Sequence, residues 1–168
     1  MNQADNLQGN TYLTFFLDGD LFGLNIQVVR EVLEYTPITR VPMTADFMRG
    51  VINVRGHVVP VIDLRKKFGL AEGQRTAETC ITIVELEADG ETATMGALVD
   101  GVREVLDIPP DRIEAAPRLG SRIDNRFISG IGKLAEGFMI LLDIQAIFSD
   151  RELSMIADMQ QTEQQGVE

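Results

Sequence analysis

Several chemistries are missing from this 168-residue chain. It has one cysteine, Cys80, so it forms no internal disulfide and no multi-thiolate metal site. It has one histidine, His57, and no tryptophan. No apolar run approaches the ~20 residues that a membrane-spanning helix needs. The start, Met1-Asn2-Gln3-Ala4-Asp5, carries an acid where a signal peptide needs a basic region before an apolar one. Basic residues are also short: 15 Lys+Arg stand against 26 Asp+Glu, for a formal net charge of −11. Nucleic-acid affinity comes from neutralising phosphates, so that balance speaks against a nucleic-acid partner. The phosphate loop Gly-x-x-x-x-Gly-Lys-Ser/Thr, the zinc helix His-Glu-x-x-His and the nucleophile turn Gly-x-Ser-x-Gly are all absent. Gly130-Ile-Gly132-Lys-Leu-Ala135 fits the dinucleotide fingerprint formally, but Glu136-Gly137 and a strand follow where a helix should open. With 45% hydrophobic and 24% charged residues, the expectation is an ordinary folded, acidic, cytosolic protein with no catalytic, cofactor or metal residues.

What is present is mostly strand. Tyr12–Leu17 and Leu21–Ile26 flank Asp18-Gly19-Asp20, Val51–Asn53 and Val58–Leu64 flank Arg55-Gly56, and Cys80–Leu86 and Thr94–Val99 flank Ala88-Asp89-Gly90. Each reads as a hairpin. Pro60 removes a ladder donor, so its strand is expected at a sheet edge or with a bulge there. Phe138–Ile144 reads as a short buried strand. The one clear helix runs from Asp150 to Gln161, with Ser149 or Asp150 as N-cap and Leu153, Ile156 and Ala157 on one face. Residues 1–10 and 162–168 are polar and expected to be loose ends. The carboxylate pairs Asp18/Asp20 and Glu85/Glu87 read as solvated, and Cys80 as a small buried residue.

The chain repeats itself. Phe22–Leu33 aligns without gaps on Met95–Leu106, with six of twelve positions identical, including the whole Val-Arg-Glu-Val-Leu string. Phe47–Gly50 matches Phe127–Gly130, and the match continues from Val61–Leu64 to Leu141–Ile144. Two matches in the same order imply two similar β units, each too small to stand alone, which pack their apolar faces on one another or close into barrels. The units differ at one hairpin tip, where the first has Arg55-Gly56 and the second Ala135-Glu136. Charge is uneven too. From Arg30 to Lys67 seven bases meet four acids, so this segment is +3 and the remainder −14. Such asymmetry is often no more than a solvated face; its overlap with the divergent tip favours a docking surface for an acidic partner.

The stretch Phe47-Met-Arg-Gly-Val-Ile-Asn-Val-Arg-Gly-His-Val-Val-Pro-Val-Ile-Asp-Leu-Arg-Lys-Lys-Phe-Gly69 resembles the signature of the CheW family of chemotaxis coupling proteins. Val54 stands where that pattern has leucine. The resemblance extends through Val29–Leu33 and Ala97–Val105, and covers about residues 11 to 150. It implies a mainly β fold of two SH3-like five-stranded barrels around a shared core. The first would span roughly residues 17–80 with crossing segments and the second roughly 81–148, followed by the C-terminal helix at 149–161. It also implies a scaffold without catalysis or cofactor, cytoplasmic, recruited to membrane-associated receptor arrays without inserting into the membrane. Its partners would be the cytoplasmic tip of chemoreceptors and the regulatory domain of a CheA-type histidine kinase. By position, Val29, Glu31, Arg55, Val99 and Val105 are expected at receptor or array contacts, and Gly50, Gly56 and Val58 at the kinase contact. For Val29, Val99 and Val105, packing in the core is the competing expectation. A coupler of a pilus or surface-sensing pathway, or a small β-barrel ligand-binding module, are the alternatives.

Overall fold

The computed structural model describes residues 10–42, 44–116 and 123–166, with side chains described as far as residue 159. Three two-residue turns organise the chain. Asp18-Gly19 (φ 51° and 84°) joins β1 (Thr11–Leu17) to β2 (Asp20–Asn25). The strand β3 (Val29–Glu34) follows, and then Arg55-Gly56 (49° and 87°) joins β4 (Met48–Val54) to β5 (His57–Asp63). The short helix α1 (Leu64–Lys67) comes next, and Asp89-Gly90 (52° and 79°) joins β6 (Cys80–Ala88) to β7 (Glu91–Val99). Two positive φ values in a row give the turn whose twist matches that of the flanking strands. The chain continues through β8 (Gly101–Asp107), β9 (Ile113–Glu114), β10 (Ile128–Leu134), β11 (Gly137–Leu142) and the helix α2 (Asp150–Gly166).

Strands fall into a five-stranded sheet, β3-β6-β7-β5-β4, and a six-stranded sheet, β8-β1-β2-β11-β10-β9. The repeat read in the sequence recurs in the register. Parallel pairing sets Val61 opposite Gly96 in one sheet and Leu141 opposite Gly23 in the other, which are equivalent positions. The register slips between Met48 and Gly50 and again between Ile128 and Gly130. Yet the expected division near residue 80 does not coincide with the division between sheets. The hairpin β1–β2 joins the strands of the second repeat, and β6–β7 joins those of the first, so the two repeats exchange hairpins. After β2 and after β7 the chain crosses over, and each crossing carries its Val-Arg-Glu-Val-Leu string into the other sheet.

Each sheet is closed by the segment that leaves its edge strand. Thr39 bridges to Val51 of β4 through two backbone bonds of 2.9 and 2.8 Å. The equivalent contact in the second sheet is Glu114 of β9 opposite Ile131 of β10. At both closures a glycine lets the backbones approach. A Cβ at Gly50 (φ 144°) would lie 2.1 Å from the Thr39 carbonyl oxygen, and one at Gly130 would lie 2.9 Å from Ile113. Closure also corrects the expectation for Pro60, which lies in an interior strand without a bulge. Its partner Val51 spends both backbone groups on Thr39, and β7 pairs with β5 only from Val61 onward. The missing N–H therefore falls where no ladder bond is made.

Three apolar clusters follow. Ile52, Val59, Val61, Ile81 and Ile83 fill the first barrel, and Tyr12, Ile108, Met139 and Leu141 fill the second. The largest lies between them and includes a run of rings, Phe15–Phe22–Phe68–Phe127, with centroids 5.8, 6.3 and 5.9 Å apart. Helix α2 presses Leu153 and the fully buried Ile156 into this shared core. It begins in a capping box: the Glu152 N–H donates to Ser149 Oγ at 3.1 Å, and the Ser149 N–H donates to Glu152 Oε1 at 2.8 Å. Its backbone runs to Gly166 and not only to Gln161, because the Gln/Glu-rich tail that reads as loose by polarity has good helix propensity. Of the expected loose N-terminal end, residues 1–9 lie outside the described residues.

Candidate partner-docking site

Strands β3 and β4 are the opposite edges of the five-stranded sheet, and barrel closure brings β3 up to the β4–β5 tip. There the Arg55 guanidinium grips Glu31 with two prongs: Nη1 donates to Oε1 at 3.2 Å and Nη2 donates to Oε2. The hydrogen bond from Arg55 holds the Glu31 carboxyl below the usual carboxylate range, and Arg30 adds to this. The same bond pushes the guanidinium of Arg55 up. Arg55 is 70% exposed at its side chain, and its backbone sits in the left-handed region that costs a side-chain-bearing residue strain. Asn53 braces the turn, its Oδ1 accepting the Gly56 N–H at 2.9 Å.

Around this pair lies an open cavity of about 520 Å³. Arg30, Glu31 and Arg55 give it charge, His57 adds a polar ring, and Val54, Val58 and Ile83 give it an apolar wall. Arg30 is itself paired with Glu85 at 2.9 Å, so Glu85 is not simply solvated. No nucleophile–base pair stands here, and no group of His, Cys, Asp and Glu able to hold a metal occurs among the described residues. The geometry suits recognition by complementary charge and shape.

The structure brings Glu31, Arg55 and Val58 to one cavity, with Gly56 beside them at the tip. Residues expected at two separate contacts are therefore interleaved. Val29 is half-buried against the shared core, two residues before Glu31. Val105 is 52% exposed, on β8 of the other barrel, opposite Leu13. Two expectations are corrected. Val99 is 1% exposed inside the shared core and offers no surface, since it ends the mostly buried second half of the interior strand β7 just before the crossing. Gly50 is a buried closure residue at the far end of β4 from the tip.

Sequence reasoning missed a second cluster. Arg65, 18% exposed at its side chain, donates from Nε and Nη2 to Asp100 at 3.0 and 2.7 Å. Its Nη1 reaches Asp18 Oδ1 at 3.4 Å and the Ala71 carbonyl at 2.9 Å. Asp100 also accepts the Asp18 N–H at 2.7 Å, so Arg65 ties the first barrel to the β1–β2 turn of the second. At the repeat-equivalent place Gln145 exchanges two bonds, of 2.7 and 2.9 Å, with the Glu87 backbone. The divergence Arg65 against Gln145 was the available signal.

A family model described as CheW-like domain matches residues 11–152. The chain belongs to the CheW-like family. It is 34% identical over 153 residues to the chemotaxis protein CheW of Klebsiella aerogenes, covering 91% of this chain and 90% of that one. To the chemotaxis protein CheW of Bacillus subtilis it is 31% identical, with coverages of 92% and 96%. The crystal structure of the scaffolding protein TtCheW from Thermoanaerobacter tengcongensis superposes with a TM-score of 0.75 at 35% identity, over 84% of this chain and 88% of that chain. The CheW-like fold accounts for the mainly β, two-barrel architecture and the shared core described above.

Proposed function

We propose that this CheW-like chain is a non-catalytic scaffold coupling chemoreceptors to a CheA-type histidine kinase. The observation that carries the reading is the Arg55–Glu31 pair. It presents a charged, braced, strained tip of the family signature at the mouth of a closed barrel. Strain at an exposed turn costs stability, and binding is the natural return for it. Residues 11–150 form the coupling unit, with α2 as a brace against the shared core. Two barrels joined by one core behave as a rigid body, so partners docked on each are held at a fixed spacing. A receptor rearrangement then shifts kinase activity through differential docking contacts. Association with the membrane comes through the receptors; no helix among the described residues is long and apolar enough to cross one.

The test mixes the protein with a CheA-type kinase and receptor cytoplasmic fragments and follows autophosphorylation and co-sedimentation. Stimulation with co-sedimentation is expected. Absence of both overturns the reading. A pilus or surface-sensing pathway would use the same contacts, and the receptor fragment that stimulates tells the two apart.

A further inference from the structure

The seven cations from Arg30 to Lys67 are not equivalent in the fold. Arg30, Arg55, Arg65 and Lys67 are each committed to a carboxylate. Arg49 makes only a 3.7 Å contact with Asp63, while Arg40 and Lys66 have no carboxylate partner among the described residues. Arg40, Arg49 and Lys66 line one cavity of about 350 Å³ on the first barrel, whose apolar residues are Tyr35, Ile38 and Met48. Outside this lining, Arg75 stacks its guanidinium on the Tyr35 ring at 4.4 Å and holds that ring in place. Asp46 and Glu72 also line the cavity, within ion-pair distance of none of these cations.

In a chain with 26 acids, gathered cations that close no tight ion pair forgo an easy local gain. The backbone that carries two of these cations is fixed. Arg40 follows the doubly bonded Thr39–Val51 bridge, and Lys66 sits in α1, where its N–H donates to Asp63 Oδ1 at 3.4 Å. Three cations and three apolar residues around one cavity, with two acids in the lining, match a mixed acidic and apolar segment. A polyanion would meet both those acids and the −11 of the whole chain.

We propose that the Tyr35–Ile38–Met48 cavity, with Arg40, Arg49 and Lys66, captures an acidic peptide segment of a partner protein, one apolar side chain flanked by carboxylates. This is a second docking surface on the first barrel, separate from the Arg55–Glu31 cavity. It rests on the coupling reading for the identity of the partner, and on geometry alone for the chemistry.

The test has two arms. In the first, Arg40→Glu/Lys66→Glu is compared with Arg112→Glu/Arg151→Glu, which reverses two exposed cations elsewhere. Binding to the kinase regulatory domain and to a receptor tip fragment is measured at low and moderate salt. The cavity variant is expected to keep its thermal midpoint and to bind one partner about tenfold more weakly, with a shallower salt dependence, while the control stays within about twofold. Equal loss in both variants, or loss in neither, overturns the proposal. In the second arm, acetyl-Glu-Asp-Leu-Glu-Asp-amide and its Gln/Asn analogue are titrated into the wild-type chain by NMR. Shifts at the amides of Tyr35, Ile38, Met48 and Lys66 with the acidic peptide only support it; shifts elsewhere, or the same shifts with inorganic phosphate, overturn it. This arm decides the matter if the double variant fails to fold. If the wild type binds neither partner, the coupling reading fails while the peptide arm still judges the cavity.

Discussion

Glu31 and Arg55 sit on opposite edges of the five-stranded sheet, 24 residues apart in sequence, and meet as a two-pronged ion pair across the mouth of the first barrel. The contact exists because the sheet closes, so it reports on closure as well as on recognition. The guanidinium is largely solvated and the Glu31 side chain partly so, and screening leaves such a pair little role in stability. Its value lies in holding the guanidinium in one pose.

Arg55→Glu should therefore leave the thermal midpoint within a few degrees of wild type while lowering receptor-stimulated kinase autophosphorylation. A melt monitored by circular dichroism beside the kinase assay checks it. A large drop in the midpoint would make Arg55 a structural residue.

Gly50→Ala should be severely destabilising, on the order of 3 kcal/mol or more, because the new methyl meets the Thr39 carbonyl oxygen at 2.1 Å and the backbone there is left-handed. Gly56→Ala, with a φ of 87° but open space around it, should cost only about 1 kcal/mol. Urea midpoints of the two variants test the ranking. Equal losses would show that backbone strain, and not the closure contact, dominates.

Arg65→Ala removes the guanidinium that Asp100 and Asp18 share at the junction of the barrels. A loss of about 2 kcal/mol is expected, reduced for partial exposure of the site. Arg65→Lys keeps the charge but not the fork, and should recover only part of it. Chemical denaturation of both variants is the measurement, and identical stabilities for Lys and Ala would show that the charge itself contributes nothing.

Glu152 gives a pH dependence of known sign. Burial alone would raise its carboxyl, but the bonds from Lys67 Nζ (2.9 Å to each oxygen) and from Ser149 outweigh that and hold it below its ordinary value of 4.5. The unfolded chain thus takes up the proton first. The stabilisation is complete above the unfolded value and drains away as pH falls through the folded one. Urea midpoints at pH 7 and pH 4 should differ more in the wild type than in Glu152→Gln. Lys67, boxed between Phe47 and Phe148 at 4.4 and 5.5 Å, keeps its place in both.

Turns and strands were legible because their signals are local: Asp18-Gly19, Arg55-Gly56 and Asp89-Gly90 each announce a left-handed pair. The repeat was legible because equivalent packing keeps equivalent residues, down to Gly50 and Gly130 at the two closures. What stayed hidden depends on strands far apart in sequence. Nothing in Tyr12–Leu24 tells which barrel its hairpin enters, so the exchange escaped, and Asp18 read as solvated although it meets Arg65 47 residues away. Val99 and Val105 look alike as letters, and only the crossing at Asp100 separates a core valine from an exposed one. That Glu31 and Arg55 share one surface was legible through the family resemblance alone, and their pairing across the closed sheet was not.

The hairpin exchange also sets a timetable for synthesis. Residues 29–99 hold every strand of the first barrel, so that barrel can close while the rest of the chain is still being made. The second draws its first two strands from residues 11–25 and its last from 137–142. Until the ribosome has delivered that late strand, the β1–β2 hairpin keeps Phe15, Leu17, Phe22 and Leu24 waiting for part of their final packing, and residues made well before β11 are sheltered only after it.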